Sequence, residues 1–121
     1  MIALKFTISL RKNEQFSYVF KGGRSKGGKL LVVFVLKNNE SASVNRLGIT
    51  VSKKMGKAVV RNRQKRHIKE AYRALEDGIV AGYDIVILPK APLTFVNFFQ
   101  IKDDLEKILK KHDLLVNGGA R

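Results

Sequence analysis

Val60, Ile68, Ala71, Tyr72 and Leu75 recur at helical spacing through the middle of the chain. They predict a helix over about residues 59–77, with Gly78 as its stop. Just upstream, Leu47, Ile49 and Val51 alternate with Gly48, Thr50 and Ser52, the period of two expected of a strand with one apolar face and one small, polar face. Leu30 to Lys37 is apolar on both faces, which suits a strand covered from both sides, and Asn38 to Asn45 reads as a polar hairpin loop between the two strands. Tyr83 to Leu88 is a third strand, closed by Pro89 and Pro92. A last amphipathic helix starts near Asn97, with Gln100 placed for a capping box, and buries Phe98, Ile101, Leu105, Ile108 and Leu109. The first element is a short helix from about Glu14 to Phe20, with Asn13 as N-cap and Gly22-Gly23 as its end, followed by a glycine-rich basic loop, GGRSKGGK. The order is αββαβα without repeat or linker, so residues 1–121 are read as one α+β domain, a two-layer α/β sandwich. General rules give the strand-helix-strand unit from Leu47 to Leu88 a right-handed crossover.

Charge adds the first hint of a partner. The chain has 24 Lys and Arg against 10 Asp and Glu, a net charge of +14 and a pI near 10.3. Nine of those cations fall between Lys53 and Arg73, where Glu70 is the only acid. On the helix, Arg61, Lys65, Lys69 and Arg73 lie at roughly 0, 40, 80 and 120° and border the apolar stripe, whereas Arg66 and Arg63 lie further round at about 140 and 200°. Solvated helix faces ordinarily mix signs in i, i+4 pairs; here like charges stack four apart, which costs stability unless an anion relieves it. A polyanion partner follows, and RNA phosphates suit a rigid row of cations best. The absence of Cys excludes disulfides and Cys-based zinc sites. No apolar run is long enough to span a bilayer and the N-terminus shows no export signal, so the chain is read as cytoplasmic, with no membrane partner.

Catalytic motifs are not evident. Gly23-x4-Gly28-Lys29 superficially fits a P-loop, but Leu30 stands where a Mg-binding hydroxyl is needed and the loop runs from helix to strand. The acids are read mostly as helix surface, Asp103-Asp104 included, and neither His67 nor His112 has a neighbour at metal-ligand spacing. No catalytic or metal-binding residue is assigned. Phe16 and Phe20, four apart on the first helix, and Phe34 in the first strand are either core or the floor of a groove for unpaired bases.

The run RLGITVSKKMGKAVVRNRQKRHIKEAYR resembles the signature of the bacterial ribonuclease P protein subunit. That signature is an Arg-Asn-Arg motif followed by Lys-Arg on a helix, after a strand and a Lys-Lys loop; here these are Arg61, Asn62, Arg63, Lys65 and Arg66, with Lys53 and Lys54 upstream. LRKNEQFSYVFKGGRS is similar to the family's N-terminal helix with its two phenylalanines, and YDIVILP to its last strand, so the resemblance runs from about Leu10 to Leu109.

The resemblance implies a ribosomal-protein-like sandwich with a left-handed βαβ crossover, against the general rule. It implies the accessory protein of an endoribonuclease that removes the 5′ leader of precursor tRNA, with the active site and its Mg²⁺ in the RNA subunit and no cofactor on the protein. The expected partners are ribonuclease P RNA and precursor tRNA, with one protein monomer per RNA. Carried over by position, Phe16, Phe20, Phe34, Arg61, Lys65 and Lys69 line a cleft for the leader; the family often has Tyr at the position of Phe34. Gly48, Thr50 and Ser52 would leave room there for a strand of RNA, and Lys53, Lys54, Asn62, Arg63 and Arg66 are assigned to the catalytic RNA. The competing reading is a structural, ribosomal-type RNA-binding protein. DNA binding through the basic helix is weaker, since no helix-turn-helix pair precedes it.

Overall fold

The apolar run after Leu30 resolves into two sets of side chains pointing opposite ways. Leu31, Val33 and Val35 are buried in the main core, whereas Phe34 and Leu36 pack into a smaller cluster on the other side of the sheet. The computed structural model describes residues 4–38 and 43–115. Its elements are β1 (Thr7–Ser9), α1 (Asn13–Gly22), β2 (Arg24–Gly27), β3 (Leu31–Lys37), β4 (Asn45–Ile49), α2 (Ala58–Leu75), β5 (Tyr83–Pro89) and α3 (Phe98–Lys111), with single 3₁₀ turns at Lys53–Met55 and Glu76–Gly78. The six expected elements are all present, and the α+β class holds. Helices α2 and α3 cover one face of the sheet through Ile68, Ala71, Tyr72, Ile101, Leu105 and Ile108. Helix α1 covers part of the other face through Val19 and Phe16.

Two strands were not anticipated. β2 lies inside the expected basic loop and pairs antiparallel with β3, Arg24 opposite Val35 and Gly27 opposite Val32. All four of its residues are exposed, so no hydrophobic period marks it. β1 pairs in parallel with β4 over three residues, too few to show a period. The sheet order is β1-β4-β5-β3-β2. β3 and β4 therefore do not form a hairpin: β5 lies between them, antiparallel to β3 and parallel to β4. Part of the expected loop, residues 39–42, lies outside the described residues.

Buried carboxylates tie the elements together, which corrects the reading of the acids as helix surface. Glu76 accepts hydrogen bonds from the Lys5 and Phe6 amides (2.8 and 3.0 Å) and from Thr7 Oγ1 (2.7 Å), and so holds β1 to the end of α2. Asp84 takes two hydrogen bonds of 2.7 Å from the Arg46 guanidinium and one of 2.9 Å from Asn38 Nδ2. Asp104, buried on α3 rather than solvated, accepts from the amides of Lys29, Leu30 and Leu31 at 2.9–3.0 Å. These amides have no sheet partner available in the turn, and a buried donor without an acceptor is costly. The N-cap of α1 is Lys12 rather than Asn13; Gln15 Oε1 reaches back to accept from the Arg11 and Lys12 amides. The capping box at Asn97 and Gln100 forms as expected, with bonds of 3.0 and 2.9 Å.

Candidate nucleic-acid interface

Helix α2 buries Ile68, Ala71, Tyr72 and Leu75 of the predicted stripe together with Gln64, which the periodicity did not include, while Val60 is only half-buried. Gln64 is polar inside that stripe because its amide is engaged at both ends. Nε2 donates to Met55 O (3.4 Å) and Oε1 accepts from Leu93 N (3.3 Å). The first bond fixes the Lys53–Met55 turn against the helix and the second ties in the segment after β5. Gly56, at a φ of +133°, turns the chain into α2, and its carbonyl accepts from Arg61 Nε at 3.1 Å. The first turn of α2 contains no acid and its N-cap is Lys57. The positive end of the helix dipole thus meets Lys53, Lys54 and Lys57 with no anion of the chain in the helix's first turn to offset it.

One groove collects several of the expected residues. β1 stops at Ser9, opposite Leu47, while β4 runs on through Gly48 and Ile49. A hollow of about 540 Å³ opens at this margin of the sheet, with Phe16 of α1 on one side and Lys65, Arg66 and Lys69 of α2 on the other. Phe16 sits directly over Gly48: a Cβ at Gly48 would fall 2.7 Å from Phe16 Cζ and closer still to Cε1. The space above Gly48, expected to be free for RNA, is therefore filled by that ring, and Thr50 and Ser52 lie beyond the end of β4. What the missing side chain permits is a ring packed against the strand.

The remaining residues fall around this groove. Phe20 and Phe34 meet edge to face, ring centroids 4.9 Å apart, on the same side of the sheet as Phe16. None of the three rings is buried, and Phe20 is 38% exposed. Neither Phe20 nor Phe34 lines the hollow itself, nor does Arg61, which turns toward Gly56. Arg66 differs from expectation: assigned to the far side, it lines the groove with Lys65, Lys69 and Glu70, because the groove faces the arc of α2 from about 40 to 180° rather than only the row that borders the apolar stripe. Lys53, Lys54, Asn62 and Arg63 are exposed outside the groove. The sequence did not single out Ser9 or Glu70, which also line it. Glu70 is noticeable as the one acid in the basic run but was not assigned to the site; nothing in the sequence pointed to Ser9. Among the described residues no three His, Asp or Glu gather as a metal-binding group, and no helix is long and apolar enough to cross a membrane.

Comparison with known proteins bears on this arrangement directly. The sequence model of the ribonuclease P protein family, described as Ribonuclease P, matches residues 4–113. The ribonuclease P protein component of Clostridium botulinum strain Langeland is 42% identical over 103 residues, covering 84% of this chain and 91% of that protein. That of Geobacillus kaustophilus is 37% identical over 116 residues, covering 96% and 95%. Among solved structures, the Staphylococcus aureus RNase P protein superposes with a TM-score of 0.77 at 35% identity, over 88% of this chain and 96% of that one. The Thermotoga maritima RNase P protein gives 0.76 at 36% identity, over 85% and 96%. The matched span takes in the groove, the basic helix and both sheet margins, and the chain belongs to the ribonuclease P protein family, the protein components of a tRNA-processing ribonucleoprotein.

Proposed function

We propose that this protein binds the 5′ leader of precursor tRNA in the groove between α1 and α2 while the outer side of α2 holds ribonuclease P RNA. The observation that carries the reading is the pairing of an aromatic ring, Phe16, with three cations, Lys65, Arg66 and Lys69, across one open hollow. A ring offers its face to any base and the cations neutralise the phosphates between bases, which together suit single-stranded RNA of variable sequence. The Phe20–Phe34 pair extends the aromatic surface along α1, and Arg61 adds a cation toward the helix N-terminus. Lys53, Lys54, Asn62 and Arg63 face away from the groove, toward the catalytic RNA.

On this reading the RNA subunit carries the active site and its Mg²⁺, and one protein monomer serves one RNA. The chemistry of this chain's own acids supports that division. Glu76, Asp84 and Asp104 are buried and saturated by structural hydrogen bonds, and Asp103 and Glu106 pair with Lys107 and Lys110. Cleavage of precursor tRNA by a bacterial ribonuclease P RNA at low Mg²⁺, with and without the protein, tests the proposal. Stimulated cleavage at the mature 5′ end is expected. Tight RNA binding without stimulation would leave only a structural RNA-binding role.

A further inference from the structure

The opposite margin of the sheet is basic too, but it is built differently. β2 forms that margin, and its pairing register puts Arg24 and Lys26 opposite Val35 and Val33, on the face that carries α3. Both charges reach the buried His112 at the end of α3 and help to lower its pKa, after burial and against a hydrogen bond to Val33. Lys111 Nζ donates to Gly27 O at 3.3 Å, and Lys90 Nζ lies 3.2 Å from where a Gly27 Cβ would stand. With Lys29 on the turn, five exposed cations from four segments gather around Gly27, and none of them forms an ion pair among the described residues. The helix dipole accounts for Lys111, in the last turn of α3, but not for the cations of β2, the turn and Lys90. The neighbouring Lys107 and Lys110 behave otherwise, each paired with an acid four residues before it.

We propose that β2, the Gly27–Lys29 turn and the end of α3 form a second RNA-binding surface that grips the phosphate backbone of a double-stranded segment. Three observations favour that ligand. The turn is held rigid by the three amide bonds to Asp104, and at Gly28 any Cβ would collide with that carboxylate, so the backbone that presents Lys29 is fixed in position. The hollow beside it, about 680 Å³, is lined by the turn, Leu30, Gln100, the lysines of α3 and the carboxylates of Asp103 and Asp104, which are engaged by Lys107 and by the turn amides, and contains no aromatic ring. A surface of cations without rings suits backbone contact, which is how duplex RNA is mainly recognised, whereas single strands call for stacking platforms. The two margins are separated by four inter-strand spacings, about 19 Å, so the duplex held at β2 is a segment apart from the strand in the groove. The inference rests on the reading of this chain as RNA-binding, not on the leader assignment.

The test uses the full chain with two probes, a blunt RNA duplex of about 16 base pairs and a single-stranded oligonucleotide. The variant Arg24→Ala/Lys26→Ala/Lys29→Ala alters only exposed side chains, and an unchanged melting temperature confirms that it is folded. Its duplex affinity should fall by about tenfold or more, and its salt dependence should become shallower by about 2–3 logarithmic units per decade of salt, near 0.9 per phosphate released. Single-strand binding should hold within about twofold. Lys5→Ala/Lys21→Ala/Lys37→Ala removes as many charges elsewhere. An equal loss with that control, or equal losses for both probes, would reduce the effect to net charge and overturn the proposal. So would unchanged duplex binding. A parent protein that binds neither probe would instead sink the RNA-binding reading itself.

Discussion

Phe20 is the residue at which packing and binding can be told apart. It is 38% exposed and leans edge-on against Phe34, so truncation removes one ring contact rather than opening a sealed cavity. Phe20→Ala should cost binding of precursor tRNA about 1–3 kcal/mol, with little change for mature tRNA. The melting temperature should fall by less than the loss of about 3–5 kcal/mol typical of a buried Phe would produce. Equal weakening of both tRNA forms would return the ring to the core. At Gly48 the expectation is the reverse. Gly48→Ala drives a methyl group into the Phe16 ring and should destabilise by about 1–3 kcal/mol. In the double variant with Phe16→Ala the methyl group has room, so the two losses should fail to add, which a double-mutant cycle on unfolding reads directly. His112 carries a pH signature. Its Nε2 meets Val33 O at 2.9 Å and its buried Nδ1 has no hydrogen-bond partner among the described residues. Burial holds its pKa below the usual 6.5, so the unfolded chain takes up a proton first. Stability is full above that value and is lost as the pH falls through it. Denaturant midpoints measured from about pH 7 down to pH 5 should drop for the parent and stay flatter for His112→Gln.

At the scale of elements, what could be read in the sequence was whatever buries one face at a regular period. α2, α3 and β4 announced themselves this way, because a repeated apolar position is the direct imprint of a core, while β3 and β5 showed as short continuous apolar runs. β2 left no such imprint, since a fully exposed edge strand is held by backbone hydrogen bonds that any side chain permits. Strand order was equally hidden: two strands adjacent in sequence looked like a hairpin, and only long-range pairing put β5 between them. The groove was half legible. Phe16, Lys65 and Lys69 come together as expected, but Arg66 was misplaced, because helical angles order the side chains around α2 without showing which arc the rest of the fold leaves facing the groove. Arg63 and Arg66 should therefore separate. Arg63→Ala should weaken assembly with ribonuclease P RNA and leave the leader-dependent part of tRNA affinity intact, whereas Arg66→Ala should reduce that part as Lys65→Ala does. Identical behaviour of the two arginine variants in RNA titrations and leader-length series would show that position on α2 does not sort its ligands.

For the molecule as a whole, a net charge of +14 is compatible with a folded domain because the cations are spread over the outside of one sheet-and-helix core while three carboxylates work inside it. Glu76, Asp84 and Asp104 each bind chain segments far apart in sequence, the start of β1 to α2, β4 to β5 and the β2–β3 turn to α3. The acids are few, and three of the ten act as internal ties. Neutralising an inner acid should accordingly matter more than neutralising an outer one.

The clamp on β1 has a consequence for behaviour in crowded solution. β1 offers only three residues of pairing, yet it is what covers the outer edge of β4, and a bare strand edge is a template for another chain. The Glu76 carboxylate thus guards solubility more than it guards the core. Glu76→Gln can no longer accept at both oxygens, and β1 should detach while β3, β4 and β5 stay paired. The expected sign is a protein that keeps a cooperative melt but loses amide protection at Lys5 and Phe6 and self-associates as its concentration rises. Light scattering that stays flat with concentration for this variant would show that the edge is protected by some other means.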